Sequence, residues 1–188
     1  MNVLYLVAVM PPEPVLSEVW GLKQEVHRLT GSRNALKLPA HITLIPPLRQ
    51  PPEFEIKFRA ALSAFAATQA PFAVGLRNFA WFGDRTLFVQ INQPAGIQAF
   101  QAQLEAWCAT HLPEVPREKR SFTPHMTLAT RDLSSTQVPE LRTLFAARHF
   151  EAEFSVQAFQ LFRHDGRAWH VIEEFGLNGP TNQLSREI

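Results

Sequence analysis

The tetrapeptide His41-Ile42-Thr43-Leu44 occurs a second time, with one conservative change, as His125-Met126-Thr127-Leu128. In an extended strand successive side chains point to opposite faces, so each His shares a face with the Thr two residues on. Each copy therefore reads as a strand with a chemical side and a core side. The copies stand 125 − 41 = 84 residues apart. Sliding the chain along itself by that distance sets 3–9 on 87–93, the helix-like stretch 15–29 on 99–113, and 38–40 on 122–124. The repeat is a whole strand-helix-strand unit, too long in period for a solenoid. Two such units imply two lobes about a pseudo-two-fold axis, with both His/Thr faces turned to one cleft.

Around the motifs the elements follow in order. Residues 3–9 are apolar on both faces, as a central strand requires. Val15, Val19, Leu22, Val26 and Leu29 recur at steps of four and three, with Glu18, Lys23, Gln24 and Arg28 largely off that stripe. Pro14 and Gly31 bracket the stretch, which predicts a helix over about 14–30. A strand over 38–45 carries the first motif and is expected to stop at Pro46-Pro47. Phe54, Phe58, Leu62 and Phe65 then mark a helix over about 53–68. Residues 72–92 read as a hairpin turning at Gly83-Asp84, with a bulge near Arg77-Asn78 where the alternation changes parity. The second unit repeats the order, with a helix over 94–111, a polar linker over 114–120 and a strand over 122–130. Val138, Leu141, Leu144 and Phe145 predict one more helix, and strands over about 150–162 and 168–177 join at the Asp165-Gly166 turn. The reading is one bilobal domain over 1–188, with repeats at about 3–82 and 86–177 and a polar tail at 178–188 expected to be poorly ordered.

The 188 residues, 46% hydrophobic and 19% charged, suit one sizeable domain or two small lobes sharing a core. With 18 Lys+Arg against 17 Asp+Glu, a long nucleic-acid duplex footprint is not indicated, although a local Arg cluster can hold one phosphate. The single Cys108 excludes an internal disulfide. No basic residue precedes the apolar run at 3–10, and no stretch approaches the ~20 residues of a membrane span. These features predict a cytoplasmic protein, monomeric and without membrane contact.

Two imidazoles facing one cleft can serve one reaction as base and acid, because a reference pKa of ~6.5 lets each exist in either form near neutrality. The Thr43 and Thr127 hydroxyls lie one pleat further along and can donate to anionic oxygens between them. That set suits a phosphodiester and needs no metal. Zinc on His41 and His125 is the competing reading, but no third or fourth ligand sits at a recognisable spacing, so neither metal nor cofactor is expected. A solitary His-Thr pair on a strand is usually structural; repetition in register turns it into a site.

The paired His-x-Thr-Leu motifs, the run Arg120-Ser121-Phe122-Thr123-Pro124-His125-Met126-Thr127-Leu128-Ala129 and the strand-helix-strand repeat resemble the two-histidine (2H) phosphoesterases, in the branch named for bacterial 2′-5′ RNA ligase. The resemblance implies a bilobal α+β fold of two pseudo-symmetric antiparallel sheets flanked by helices, with both motifs in a central cleft. It implies a metal-independent phosphoesterase that opens 2′,3′-cyclic phosphates of RNA ends or small nucleotides and, in some members, joins RNA ends through 2′-5′ linkages. Its partners would be those RNA ends or cyclic-phosphate nucleotides. By analogy His41 would be the acid and His125 the base in hydrolysis, with Thr43 and Thr127 holding phosphate oxygens; pseudo-symmetry leaves the order open.

Relatives often follow the second motif with Ala-Arg. Here Ala129-Thr130 stands there and Arg131 comes one step later. Either Arg131 reaches back through a bulge, or Arg120 or Arg49 substitutes, or the phosphate is held less tightly. Thr130 also motivates a second reading, an RNA-end or nucleotide-binding module that has lost turnover. Tyr5, Phe79, Trp81 and Phe122 are the candidates for contacting a base, although most of the 15 Phe fall on core stripes.

Overall fold

A computed structural model describes residues 2–179. The elements run β1 (Val3–Val9), α1 (Val15–Thr30), a 3-10 turn (Asn34–Lys37), β2 (Ile42–Gln50), α2 (Phe54–Ala66), β3 (Phe72–Phe82) and β4 (Thr86–Ile91). Then come α3 (Ala95–His111), β5 (His125–Thr130), α4 (Val138–Ala146), β6 (Glu151–Val156), β7 (Ala158–His164) and β8 (Trp169–Gly176). The strands build two four-stranded antiparallel sheets, ordered β2-β1-β7-β8 and β5-β4-β3-β6. The fold is α+β, as the sequence predicts. Each motif strand lies at the edge of its sheet, and β1, apolar on both faces, lies inside one.

The division into repeats at 3–82 and 86–177 does not match the sheets. The β3 strand pairs with β4 and β6 in the second sheet, while β7 and β8 return to complete the first. Tight hairpins explain this, since a short turn keeps its two strands in one sheet. Moreover β1 needs a neighbour on each side, and only β7 supplies the second. The predicted single strand over 150–162 breaks at Gln157, where the buried side chains change parity from Phe154 and Val156 to Phe159 and Leu161. The uniform 84-residue shift also fails for the first strand. Ala8 stands opposite Thr43 and Phe88 opposite Thr127, so the shift there is 88 − 8 = 80, and the second unit carries four more residues before its motif.

Pro46 and Pro47 do not end the strand; β2 runs through them to Gln50. An edge strand tolerates proline because one row of its amides has no ladder partner to lose. The β3 bulge falls where the sequence put it, between the Leu76–Ile91 and Phe79–Val89 pairs, with Asn78 at φ 56°. Gly31 ends α1 in the left-handed region at φ 76°, its N–H donating to the His27 carbonyl at 2.7 Å.

Helix α1 lies against β5 and β6, α2 against β8, and α3 against β3 and α2. The stripe on α1 is rotated from the predicted one: Val15, Val19, Lys23 and Val26 are buried, while Leu29 is 51% exposed. The central packing is aromatic, with Phe159 touching Phe65, Phe100 and Phe175. Cys108 is buried, which pushes its thiol up to about 11 and makes it a poor nucleophile. No helix among the described residues is long and apolar enough to cross a membrane. Residues 180–188 of the expected loose tail lie outside the described residues.

Candidate active site

Both motif strands carry the same irregularity. Val7 and Ala8 stand opposite Ile45 and Thr43, leaving Leu44 as an extra residue; Leu87 and Phe88 stand opposite Ala129 and Thr127, leaving Leu128 extra. Each motif Leu is therefore a bulge. Ile42, Leu44, Met126 and Leu128 are buried, whereas His41, Thr43, His125 and Thr127 are half-buried on the other face. The bulge in β5 resets the alternation, so Ala129 goes to the core and Thr130 joins the Thr127 face. There its hydroxyl hydrogen-bonds that of Thr86 at 2.9 Å.

This face opens on a cleft of about 620 Å³ whose wall holds His41 and Thr43 from one motif and Thr127, Thr130 and Arg131 from the other. Lys23 and Lys37 add two cations, and no Asp or Glu among the described residues lines the cleft. Lys37 and Arg131 have no carboxylate partner among the described residues. Such a wall attracts an anion. Leu4, Leu6 and Trp169 give the cleft an apolar end. His125 is not in that wall; it packs against Phe82 and Phe88, ring centroids 4.8 and 5.2 Å away, and its charge opposes protonation of His41.

The two rings are held alike. His41 Nδ1 lies 2.8 Å from the Pro39 carbonyl and His125 Nδ1 lies 2.7 Å from the Thr123 carbonyl, each two residues back. A carbonyl oxygen only accepts, so Nδ1 carries the hydrogen in both rings. Nε2 is left as a lone pair on the neutral ring and as an N–H donor on the charged one. Burial, then the Lys23 ammonium, pull His41 down to about 4, against the Pro39 carbonyl. Burial also lowers His125, partly offset by the Thr123 carbonyl. A bound anion pushes both back up.

A strap joins the motifs. Asp132, just past β5, accepts from Ser32 Oγ at 2.6 Å and from the backbone N–H groups of Arg33 and Asn34 at 2.7 and 2.8 Å. It thereby pins the segment that leads into the first motif.

The structure sorts the remaining sequence candidates. Arg131 reaches the cleft through a left-handed backbone, φ 69°. Arg120 and Phe122 line an adjoining recess of about 310 Å³ that shares Thr43. The Arg120 side chain is 88% exposed and held by Glu118. Arg49 stands opposite Leu4 on the same sheet face, outside the cleft wall. Tyr5 is a correction: alternation turns it away from Leu4 and Leu6, it is fully buried on Phe58, and its hydroxyl donates to Glu55. Phe79 packs on Phe145, and Trp81 lies under Arg142. Lys23 was missed because its place on the 15, 19, 26 stripe was given to Leu22. Phe82, Phe88 and Thr130 depend on ladder register and bulging, which the sequence does not display.

Arg131→Gly separates strain from binding. The left-handed region costs a non-glycine residue about 1–2 kcal/mol, so the variant is expected to be as stable as the parent or about 1 kcal/mol more stable in urea unfolding. Losing the cation is expected to raise KM for a phosphate ester about tenfold, the scale of one charged hydrogen bond.

Among the described residues no group of three His, Cys, Asp or Glu could hold a metal ion. Fold and site together define a class: the family model of the 2′-5′ RNA ligase superfamily matches residues 11–168, and the chain belongs to that superfamily, the two-histidine phosphoesterases. It is therefore an enzyme acting on phosphoester bonds. The chain is 27% identical over 184 residues to an RNA 2′,3′-cyclic phosphodiesterase of Thermus thermophilus, covering 92% of this chain and 89% of that protein. Its fold is that of TT0787 from the same organism (TM-score 0.69, 24% identity, 95% of this chain and 99% of that one). It is also that of E. coli LigT crystallised with 3′-AMP (TM-score 0.64, 18% identity, 94% and 99%).

Proposed function

We propose that this chain opens 2′,3′-cyclic phosphates on RNA ends or small nucleotides, with His41 and His125 as its acid-base pair. The observation that carries the reading is the matched tethering of the two rings, each by Nδ1 to the carbonyl two residues back so that Nε2 is left for proton transfer, with His41 and both motif threonines in the wall of a cleft that holds cations and, among the described residues, no carboxylate. One Nε2 takes the proton of an attacking water as the P–O bond to it forms. The other gives its proton to the departing ribose oxygen, so the cyclic diester becomes a monoester with no net change in protein charge. The Thr43 and Thr127 hydroxyls and the Arg131 guanidinium hold the non-bridging oxygens. With the 5′-hydroxyl of another RNA end in place of water, the same steps run in the same direction, the new P–O bond forming as the bond to the departing 3′ oxygen breaks, and leave a 2′-5′ linkage. The Thermus relative, named for this hydrolysis, supports the substrate class.

The test is a panel of 2′,3′-cyclic nucleotides and cyclic-phosphate-ended RNA, with the product monoester identified and EDTA present throughout. Turnover indifferent to EDTA is expected, because two imidazoles supply both proton transfers. Ligand retained at saturation without product would replace this reading with the binding module that Thr130 motivates, and activity abolished by EDTA would replace it with a metal site.

A further inference from the structure

Helix α1 sends one charged side chain into the interior. Lys23 is 2% exposed, and its Nζ donates to the carbonyls of Ala35, Leu38 and Pro39 at 3.1, 3.0 and 2.9 Å. Three acceptors match the three N–H bonds of an ammonium; a neutral amine has two. Burial pulls this group down to about 7, while the three carbonyls favour its charged form. No ion pair with a carboxylate compensates it among the described residues. An uncompensated buried charge is costly, and methionine would fill the same space more cheaply.

The position of those carbonyls gives the charge a use. Pro39 O accepts from Lys23 Nζ and also from His41 Nδ1, so a single oxygen joins ammonium and imidazole. Lys23 also stands in the cleft wall beside His41. The charged and titratable groups around His41 are Lys23 from α1, His125 from β5, and Lys37, Arg131 and His164, which share the cleft wall with it. All are cationic or can become so, and Lys23 is the one among them tied to the His41 tether.

We propose that Lys23 is a positioning residue for His41: it clamps residues 35–39 so that Pro39 holds the ring by Nδ1–H, and in its ammonium form it sets a positive charge beside that ring. The inference rests on the reading of His41 as a proton-transfer group. Its consequence is that the Nε2 proton of His41 is made more acidic and is held only while the substrate's negative charge is present.

The experiment uses the full chain and two variants, Lys23→Gln, which keeps two N–H donors without the charge, and Lys23→Met. Imidazole 15N NMR reads the tautomer and titration of His41 directly, and pH profiles of kcat are taken with 2′,3′-cyclic AMP. In the parent, His41 is expected as the Nδ1–H tautomer titrating well below the ordinary histidine range. In Lys23→Gln its midpoint moves up by about one pH unit, as for loss of one nearby charge. The limb of the kcat profile that belongs to His41 moves with it, and which limb moves tells whether the ring is base or acid. A purely structural lysine would lower kcat without moving either limb. A folded Lys23→Gln whose His41 keeps the parent's midpoint and tautomer overturns the proposal. If both variants fail to fold, the parent alone decides, since an Nε2–H tautomer or an ordinary midpoint overturns it equally. Full activity in His41→Ala would sink the catalytic reading while leaving the NMR result intact, so the two failures are distinguishable.

Discussion

His41→Ala and His125→Ala are each expected to lower turnover of a 2′,3′-cyclic nucleotide by at least ~100-fold, the lower end for a general acid or base. The expectation follows from the tethers. With Nδ1 engaged by Pro39 or Thr123, each ring has one nitrogen for proton transfer, and no other described titratable group is held in the same way beside the cleft. The pair acts as a unit, so the double variant should lose much less than the product of the two single losses. Neither substitution should unfold the chain. Both rings are half-buried, His125 rests on Phe82, itself 39% exposed, and the carbonyl left by His41 keeps its bond from Lys23. Circular dichroism and urea midpoints check the fold, and initial rates at saturating substrate check the chemistry. Near-parental turnover in either variant would remove that histidine from the mechanism.

What made the site readable was local: a period of two puts His and Thr on one face, and that rule needs no tertiary information. The elements were readable for the same reason, since the α2 stripe, the β3 bulge and the Asp165-Gly166 turn are encoded within a few residues of where they act. Three features were not. Sheet membership of β3 and β7 is a competition between pairings distant in sequence, which alternation alone does not rank. The Leu44 and Leu128 bulges exist only against a partner strand, so the rule that a one-residue step reverses a side chain left Arg131 ambiguous. Lys23 breaks the hydrophobic rule outright, and a buried cation is invisible until its acceptors, the carbonyls of residues 35, 38 and 39, have been folded around it. These departures from local rules gather around the cleft, as expected where chemistry competes with packing.

Phe159→Ala is expected to cost ~3–5 kcal/mol of stability, the range for truncating a buried phenylalanine. Phe159 is fully buried, with ring centroids 6.1, 5.7 and 5.1 Å from those of Phe65 on α2, Phe100 on α3 and Phe175 on β8. No single neighbour can close the gap, because each is also held by its own element. The loss is a large part of the ~5–15 kcal/mol that a domain possesses. It should appear as a lower urea midpoint at unchanged slope, whereas Phe82→Ala, on the open side of His125, should shift the midpoint far less. The site is expected to fail together with the fold. Strand β7 flanks β1 in the first sheet and carries Phe159 on its core face, while its other face brings His164 to the cleft opposite Leu4. A Phe159→Ala protein that lost less than ~1.5 kcal/mol would mean that the α2-α3 layer repacks onto β7. The first sheet would then owe its integrity to the β1–β2 ladder instead of to the aromatic cluster behind it.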